Sequence, residues 1–363
     1  MEFKIETISY LNENGEVNKG YKKTISDELL LKAYKIMQQT KRIDERMVTL
    51  QRQSVVNFAM PSRGEEASTV VSAAALKPQD WHFYQYREQG AIFMKGFTIQ
   101  EFCDHMLLNI NDTSKGRQMS NHFGKKELNA VTVSSTLGTQ IPQAAGCAYA
   151  QKLRNEDAIT MCYFAEGAAS EGDFHAGLNM AAVTKSPVIF YCRNNHYQIS
   201  TSNKNQFAGD GIAPRGIGYG IKTYRIDAMD AFAIYDTVQE AREYCRAGNG
   251  PVLIEAMAYR MGPHSTADDP SAYRTDEEVA KWAKKCPIER VKKYLIKNKL
   301  WSEKQDSELL EALAIEIEKC IDIAKKTPKP GIDSMFNEVY SDIPWNLQEQ
   351  YEFLQEFKKE ESN

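Results

Sequence analysis

Residues 158–164 read Ala-Ile-Thr-Met-Cys-Tyr-Phe, and residues 165–173 continue as Ala-Glu-Gly-Ala-Ala-Ser-Glu-Gly-Asp. The first stretch is a short apolar run of the kind that forms a strand buried on both faces of a sheet. The second is rich in small residues and leads into a helical pattern that starts at Ser170. A strand, a small-residue turn and a helix together form the repeating unit of a parallel α/β sheet.

The same alternation continues on both sides of this stretch. Apolar runs predict further strands at 131–135, 187–192, 222–227 and 252–259, and helices at 139–153, 170–184 and 230–247. Apolar residues at helical spacing predict a helix that starts near Ser26, and capping signals predict helix starts at Thr98 and Ser302. We therefore predict an α/β fold, in which a parallel sheet is flanked by helices on both faces. An N-terminal helical extension (1–60) precedes the α/β domain (61–300), and a C-terminal helical segment (301–363) packs on that domain or on other subunits.

Composition limits the class of protein. The 363 residues are 42% hydrophobic and 26% charged, which allows a large core and excludes disorder as the main state. A net charge of −4 gives no electrostatic footprint for nucleic acid or an anionic membrane, and no apolar run approaches the ~18 residues of a membrane span. The acidic start of the chain resembles neither a signal peptide nor a transit peptide.

The cysteines indicate the compartment. There are seven, widely spaced and without a CxxC pair, which is typical of reduced thiols in a cytosol-like environment. We expect the cytoplasm if the protein is bacterial and the mitochondrial matrix if it is eukaryotic.

Polar residues follow three of the predicted strands. Glu166 follows the strand at 158–164, Asn195 and Tyr197 follow the next, and His264 follows the strand at 252–259. Ligands of such sheets bind at the carboxyl ends of the strands. Oxygens of Glu166, Asn195 and the Tyr197 carbonyl suit Mg²⁺ beside a diphosphate, and histidine transfers protons near neutral pH. The spacing alone leaves open that Glu166 caps the next helix and that Asn195 only turns the chain.

Longer motifs carry a family resemblance. Residues 170–179, 193–195, 209–213, 218–221 and 264–274 all resemble the alpha subunits of thiamine diphosphate-dependent 2-oxo acid dehydrogenases, in their branched-chain form. The likeness covers about residues 25–345, although Ala165-Glu-Gly stands where the family usually has Gly-Asp-Gly. It implies the thiamine diphosphate-binding fold. It also implies oxidative decarboxylation of acids such as 3-methyl-2-oxobutanoate, with acyl transfer to lipoamide.

The resemblance also implies roles for individual residues. It assigns contacts with thiamine diphosphate to Gln85, Tyr86, Arg87, Ser135, Leu137, Gly167, Ala168, Arg193 and His264. It assigns Mg²⁺ to Glu166, Asn195 and Tyr197, and a monovalent cation such as K⁺ to a loop containing Ser134, Thr139 and Gln140. His264 is the catalytic proton donor in this scheme. Ser265 occupies a position that is phosphorylated in mitochondrial relatives.

The same resemblance implies partners. A beta subunit would supply the glutamate that activates the cofactor, in an α2β2 heterotetramer, and a lipoyl-bearing acyltransferase would accept the acyl group. The substrates are small 2-oxo acids, and neither nucleic acid nor membrane is expected as a partner.

Several alternatives stay open at this point. A pyruvate or acetoin dehydrogenase alpha subunit would keep every motif, and a non-catalytic protein of the same fold would keep the fold. A nucleotide-binding dehydrogenase is disfavoured because no GxGxxG opens a helix. A hydrolase using Ser265, His264 and Asp268 is disfavoured because no GxSxG precedes any serine.

Overall fold

The computed structural model describes residues 5–361. Residues 1–4 of the predicted N-terminal extension and residues 362–363 of the C-terminal segment lie outside this part. The strands are β1 (Thr7–Ile8), β2 (Trp81–Phe83), β3 (Ala130–Val131), β4 (Thr160–Ala165), β5 (Val188–Asn194), β6 (Tyr197–Gln198), β7 (Thr201–Ser202), β8 (Lys222–Asp227) and β9 (Val252–Met257).

Helices surround these strands. They are α1 (Asp27–Arg52), α2 (Glu66–Ala74), α3 (Gln89–Met94), α4 (Ile99–Met106), α5 (Gln140–Leu153), α6 (Gly172–Thr184), α7 (Asn203–Gln206), α8 (Ala213–Gly218), α9 (Ala231–Arg246), α10 (Asp276–Ala283), α11 (Pro287–Lys297), α12 (Glu303–Lys326), α13 (Ser334–Asn337) and α14 (Trp345–Glu361).

A parallel sheet forms the centre of the molecule. Within residues 5–361 it has seven strands, in the order β1-β8-β9-β5-β4-β2-β3, and every neighbouring pair is parallel. The central strand β5 pairs with β4 on one side and β9 on the other, with Tyr163 opposite Tyr191 and Tyr191 opposite Ile254. The predicted α/β fold class is confirmed.

Both faces of the sheet are buried. Met161 and Tyr163 of β4 belong to the large core formed with α1, α2, α9 and α12, whereas Cys162 and Phe164 belong to a second core formed with α5 and α6. All four side chains are fully buried. This two-sided burial explains why the strand is a continuous apolar run rather than an alternating one.

The helix starts predicted at Ser26, Thr98 and Ser302 are confirmed. Ser26 accepts the N–H of Leu29 at 3.2 Å, and Ser302 accepts that of Gln305 at 3.2 Å. Thr98 and Glu101 form a complete capping box. These side chains satisfy backbone donors that a helix start would otherwise leave unpaired.

Three strands of the sheet, β1, β2 and β3, differ from the sequence prediction. The strand predicted at 131–135 ends at Val131, because the N–H of Val133 donates instead to the Phe123 carbonyl at 3.2 Å and the chain leaves the sheet. Neither strand β2, which pairs with β3 and β4, nor strand β1 was predicted. Strand β1 pairs with β8, and the Asp230 carboxylate fixes the chain that follows β1 by accepting the N–H of Leu11 at 2.7 Å.

Two further observations concern the environment of the chain. All seven cysteines are free thiols, and five of them are buried. In residues 5–361, no helix combines the length and the apolar character needed to cross a membrane.

Candidate active site

A cavity of about 220 Å³ lies where strands β2, β4, β5 and β9 end. The loops predicted to carry function, after Phe164, Cys192 and Tyr259, meet here because parallel strands end at one edge of the sheet. Ala165, Gln198, Ile199 and Arg260 line the cavity together with ten predicted site residues, which are Gln85, Tyr86, Arg87, Leu137, Glu166, Gly167, Arg193, Asn195, Tyr197 and His264.

Glu166, Asn195 and Tyr197 bring oxygen atoms to the ends of β4 and β5. The N–H of Asn195 donates to Glu166 Oε2 at 3.1 Å, and the N–H of Tyr197 donates to Asn195 Oδ1 at 3.3 Å. Burial raises the pKa of Glu166 to about 7. No salt bridge reaches this carboxylate from the described part of the chain. A carboxylate, an amide oxygen and a main-chain carbonyl suit Mg²⁺, whose charge would favour the ionised form of Glu166.

Arg87 and Arg193 place two positive charges in the cavity wall, although both side chains are almost fully buried. Arg193 forms salt bridges with Glu65 and with Glu88, the latter at 2.6 Å between Nη2 and Oε1. Arg87 Nε lies 3.6 Å from Glu65 Oε1. Arg193 Nε is buried and has no hydrogen-bond partner among residues 5–361. A donor of this kind suits a phosphate oxygen.

Glu88 orders the segment after β2, and Gln85 joins that segment to β4. Its Oε2 accepts the backbone N–H groups of Gln85, Tyr86 and Arg87 at 2.9, 2.9 and 3.0 Å. Gln85 Oε1 in turn accepts the N–H of Ala165 at 2.8 Å, at the end of β4. Within the described residues, Gln85 Nε2 is a second buried donor of the cavity wall without a partner.

His264 occupies the wall of the cavity next to Arg87. Arg87 Nη2 lies 3.4 Å from His264 Nδ1, and because arginine can only donate, Nδ1 accepts and the neutral ring carries its proton on Nε2. Burial, together with the charges of Arg87 and Arg260, lowers the pKa of His264 to about 3. The imidazole is therefore neutral near pH 7 and presents an N–H at Nε2.

Two buried arginines hold the loop that carries His264. Arg260 donates to the carbonyls of Tyr197 and Ile199 at 2.9 and 2.5 Å, and Arg274 donates to the carbonyl of Gly262 at 2.6 Å. Arg260 Nε is a third buried donor that lacks a partner in residues 5–361. The bond to Tyr197 occupies one lone pair of the carbonyl that was predicted to bind Mg²⁺ and leaves the other.

Six predicted site residues lie outside the cavity wall: Ser134, Ser135, Thr139, Gln140, Ala168 and Ser265. Ser135 Oγ is instead 2.7 Å from His122 Nε2, and Gln140 donates to the carbonyl of Tyr163 at 3.1 Å. Ala168 packs in the core beneath the turn after β4. Ser265 is 7% exposed, and its Oγ accepts the N–H of Ala267 at 3.3 Å.

The sequence analysis missed four residues at this site, namely Glu65, Glu88, His122 and Arg260. Glu65 and Glu88 bind Arg193, which lies 128 and 105 positions away in the sequence. No local sequence pattern predicts contacts over such separations. Arg260 offered the only usable signal, since it directly follows the apolar run at 252–259, where a sheet of this type places functional groups.

The sequence is similar to known proteins over most of its length. Residues 34–333 match the family described as "Dehydrogenase E1 component". The chain is 46% identical over 328 residues to the "2-oxoisovalerate dehydrogenase subunit alpha, mitochondrial" of Macaca fascicularis, which covers 90% of this chain and 74% of that protein. The chain is 44% identical to the protein of the same name from Dictyostelium discoideum. It is 43% identical to the "2-oxoisovalerate dehydrogenase subunit alpha 2, mitochondrial" of Arabidopsis thaliana. Those two alignments cover 98% and 94% of this chain, and 81% and 72% of the relatives.

Proposed function

The chain belongs to the dehydrogenase E1 component family, and we propose that it is the alpha subunit of a branched-chain 2-oxo acid dehydrogenase. The reaction is the oxidative decarboxylation of acids such as 3-methyl-2-oxobutanoate, with transfer of the acyl group to lipoamide. One observation carries the substrate class: identity of 46% to a 2-oxoisovalerate dehydrogenase alpha subunit extends over 90% of the chain. A protein of this kind is an oxidoreductase.

We propose that thiamine diphosphate binds in the cavity with its diphosphate beside Arg87, Arg193 and the turn at Gly167. The buried donors without partners in the described chain, on Gln85, Arg193 and Arg260, fit phosphate oxygens. Mg²⁺ would be held by Glu166, Asn195 and the Tyr197 carbonyl. A K⁺ site at Ser134, Thr139 and Gln140, and roles for Ser135, Leu137 and Ala168, remain predictions from the resemblance.

Bound thiamine diphosphate supplies the electron sink that decarboxylation requires. The residues of this chain bind and orient the reacting groups. Arg87 and Arg193 supply positive charge for the phosphates, and the apolar side chain of Leu137 forms part of the cavity wall. His264 holds a proton at Nε2 and can donate it as a hydrogen bond to an oxygen of the reacting group, with the ring positioned by Arg87.

We propose that a second chain completes the cavity. Among its described lining residues, Glu166 is the only carboxylate, and Mg²⁺ would use it. The resemblance implies a glutamate that activates the cofactor, and we propose that a beta subunit supplies it in an α2β2 heterotetramer. A lipoyl-bearing acyltransferase is the proposed acceptor. The relatives are named as mitochondrial; for this chain we propose the matrix in a eukaryote and the cytoplasm in a bacterium.

Co-expression with a beta-type subunit tests the proposal. The purified complex should contain thiamine diphosphate and decarboxylate 3-methyl-2-oxobutanoate with a higher kcat/KM than pyruvate. A preference for pyruvate or acetoin would keep the fold and the site but overturn the substrate class. A complex that contains cofactor and turns over none of these acids would overturn the proposed activity.

A further inference from the structure

Glu65 is fully buried, and its carboxylate contacts three residues of the cavity wall. Oε2 forms a salt bridge with Arg193 and accepts a hydrogen bond from Asn195 Nδ2 at 3.2 Å, while Oε1 lies 3.6 Å from Arg87 Nε. We propose that Glu65 is a positioning residue that orients Asn195 for metal binding and aligns the two arginines for the diphosphate. This inference rests on the proposed function.

The side chain of Glu65 is not used by its own helix. It occupies the N-cap position of α2, where a Ser, Thr, Asp or Asn side chain commonly accepts a backbone N–H of the first turn. Glu65 makes no such bond. Its hydrogen bonds go instead to Arg193 and Asn195, which lie 128 and 130 positions away in the sequence. The carboxylate is thus committed to the cavity residues rather than to the stability of α2.

The contact with Asn195 determines which way its amide points. A carboxylate can only accept, so the NH₂ group of Asn195 must face Glu65 and Oδ1 must face away. Oδ1 accepts the N–H of Tyr197 at 3.3 Å and is the oxygen that the proposed Mg²⁺ site needs. Side chains that orient a metal ligand in this way typically contribute about 10- to 100-fold in metal affinity.

Glu65 also contacts the two arginines of the cavity wall. Glu65 is the only carboxylate of the described chain that approaches both Arg87 and Arg193 within salt-bridge distance. Glu88 cannot replace it, because Glu88 Oε2 is occupied by three backbone N–H groups and only Oε1 meets Arg193. Without Glu65, two buried positive charges would repel each other and lose their common anchor.

The test measures metal binding rather than turnover. Mn²⁺ would be titrated into the complex of alpha and beta subunits at saturating thiamine diphosphate, with bound Mn²⁺ followed by electron paramagnetic resonance. The variants are Glu65→Gln, which removes the charge, and Glu65→Asp, which keeps it. Glu66→Gln is the matched control, because Glu66 is the next residue and is also buried, yet its carboxylate accepts the N–H of Gly64 at 2.9 Å and lines a different cavity.

We expect Glu65→Gln to weaken Mn²⁺ binding by about 10- to 100-fold, Glu65→Asp to weaken it less, and Glu66→Gln to leave it unchanged. Equal affinity in the wild type and Glu65→Gln would overturn the inference, and so would an equal loss in Glu65→Gln and Glu66→Gln. If Glu65→Gln does not fold, Glu65→Asp decides: weaker binding supports the positioning role and wild-type binding overturns it. Failure of the wild-type complex to bind cofactor and Mn²⁺ would instead refute the proposed function.

Discussion

Arg87 Nη2 lies 2.9 Å from the carbonyl oxygen of His264, and this hydrogen bond joins the segment after β2 to the loop after β9. Arg87 also donates to the Pro61 carbonyl from Nη1. A single buried guanidinium therefore connects the proposed phosphate position with the proposed hydrogen-bond donor. Binding of an anion beside Arg87 and placement of the His264 ring are mechanically linked.

The first prediction concerns this link. Arg87→Ala should increase the rate of amide hydrogen exchange in residues 262–268 by about 10- to 100-fold, because a hydrogen bond from a charged donor contributes about 1.5–3 kcal/mol. Exchange in β4 and β5 should not change. Mass spectrometry of the exchanged peptides measures both regions. Arg193→Ala is the control, since the salt bridges of Arg193 within the described residues go to Glu65 and Glu88 rather than to this loop, and equal exchange in the loop of both variants would contradict the link.

The second prediction concerns the charges around Arg193. Arg193→Met should lower the free energy of unfolding by about 3–5 kcal/mol, because it leaves Glu65 and Glu88 buried without their main counter-charge. Adding Glu65→Gln and Glu88→Gln to the same chain should recover part of the loss. Urea denaturation measures these values. Thiamine diphosphate affinity should fall as well, and an unchanged affinity would remove Arg193 from phosphate binding.

The third prediction separates binding from chemistry at His264. His264→Ala should keep thiamine diphosphate bound to the complex but lose most acyl transfer to lipoamide, because the proton at Nε2 is gone while the arginines remain. Calorimetry of cofactor binding and a lipoamide reduction assay measure the two properties. Near-normal turnover would exclude His264 from the mechanism.

The fourth prediction follows from the lowered pKa of His264. With a pKa of about 3 in the folded chain and 6.5 as the ordinary value, His264 binds fewer protons in the folded state between these limits. Its contribution to the free energy of unfolding should therefore decrease as the pH falls from about 6.5 toward 3, by at most about 1.4 kcal/mol per pH unit. Comparing urea denaturation of the wild type and His264→Gln at pH 7 and 5 isolates this contribution. Identical slopes would contradict it.

The fifth prediction concerns Glu66, whose contribution to stability changes with pH in the opposite direction to that of His264. Burial raises the pKa of Glu66 to about 8, from an ordinary value of 4.5. Between these values the folded state keeps a proton that the unfolded state has lost, so the contribution of Glu66 to stability falls as the pH rises, by at most about 1.4 kcal/mol per unit. Glu66→Gln should make the protein more stable relative to the wild type at pH 8 than at pH 5. No change in this difference would refute the raised pKa.

Much of the fold could be read from local patterns. The strands β4, β5 and β9 are continuous apolar runs because both of their faces are covered. The side chains of Ser26, Thr98 and Ser302 cap the helices that begin after them. Strand β1 was missed because two polar-flanked residues carry no periodicity. Its position depends on β8 and on Asp230, more than 200 positions away.

Some residues of the candidate site could also be predicted from the sequence, and others could not. Residues that directly follow a strand, such as Glu166 and Asn195, could be proposed because a parallel sheet places strand ends together. Glu65 and Glu88 could not, because they act by neutralising Arg193 from distant parts of the chain.

The loop after β9 is held mainly through its backbone. Arg87 and Arg274 donate to carbonyl groups of this loop, and Arg260, which begins it, donates to carbonyls of the neighbouring β6 turn. A carbonyl is present at every position whatever the side chain, so such bonds survive substitution of the residues that provide them. Pro263 and Ser265 can therefore diverge while the imidazole of His264 keeps its place. The identity of most side chains in this loop is thus largely independent of where the loop lies.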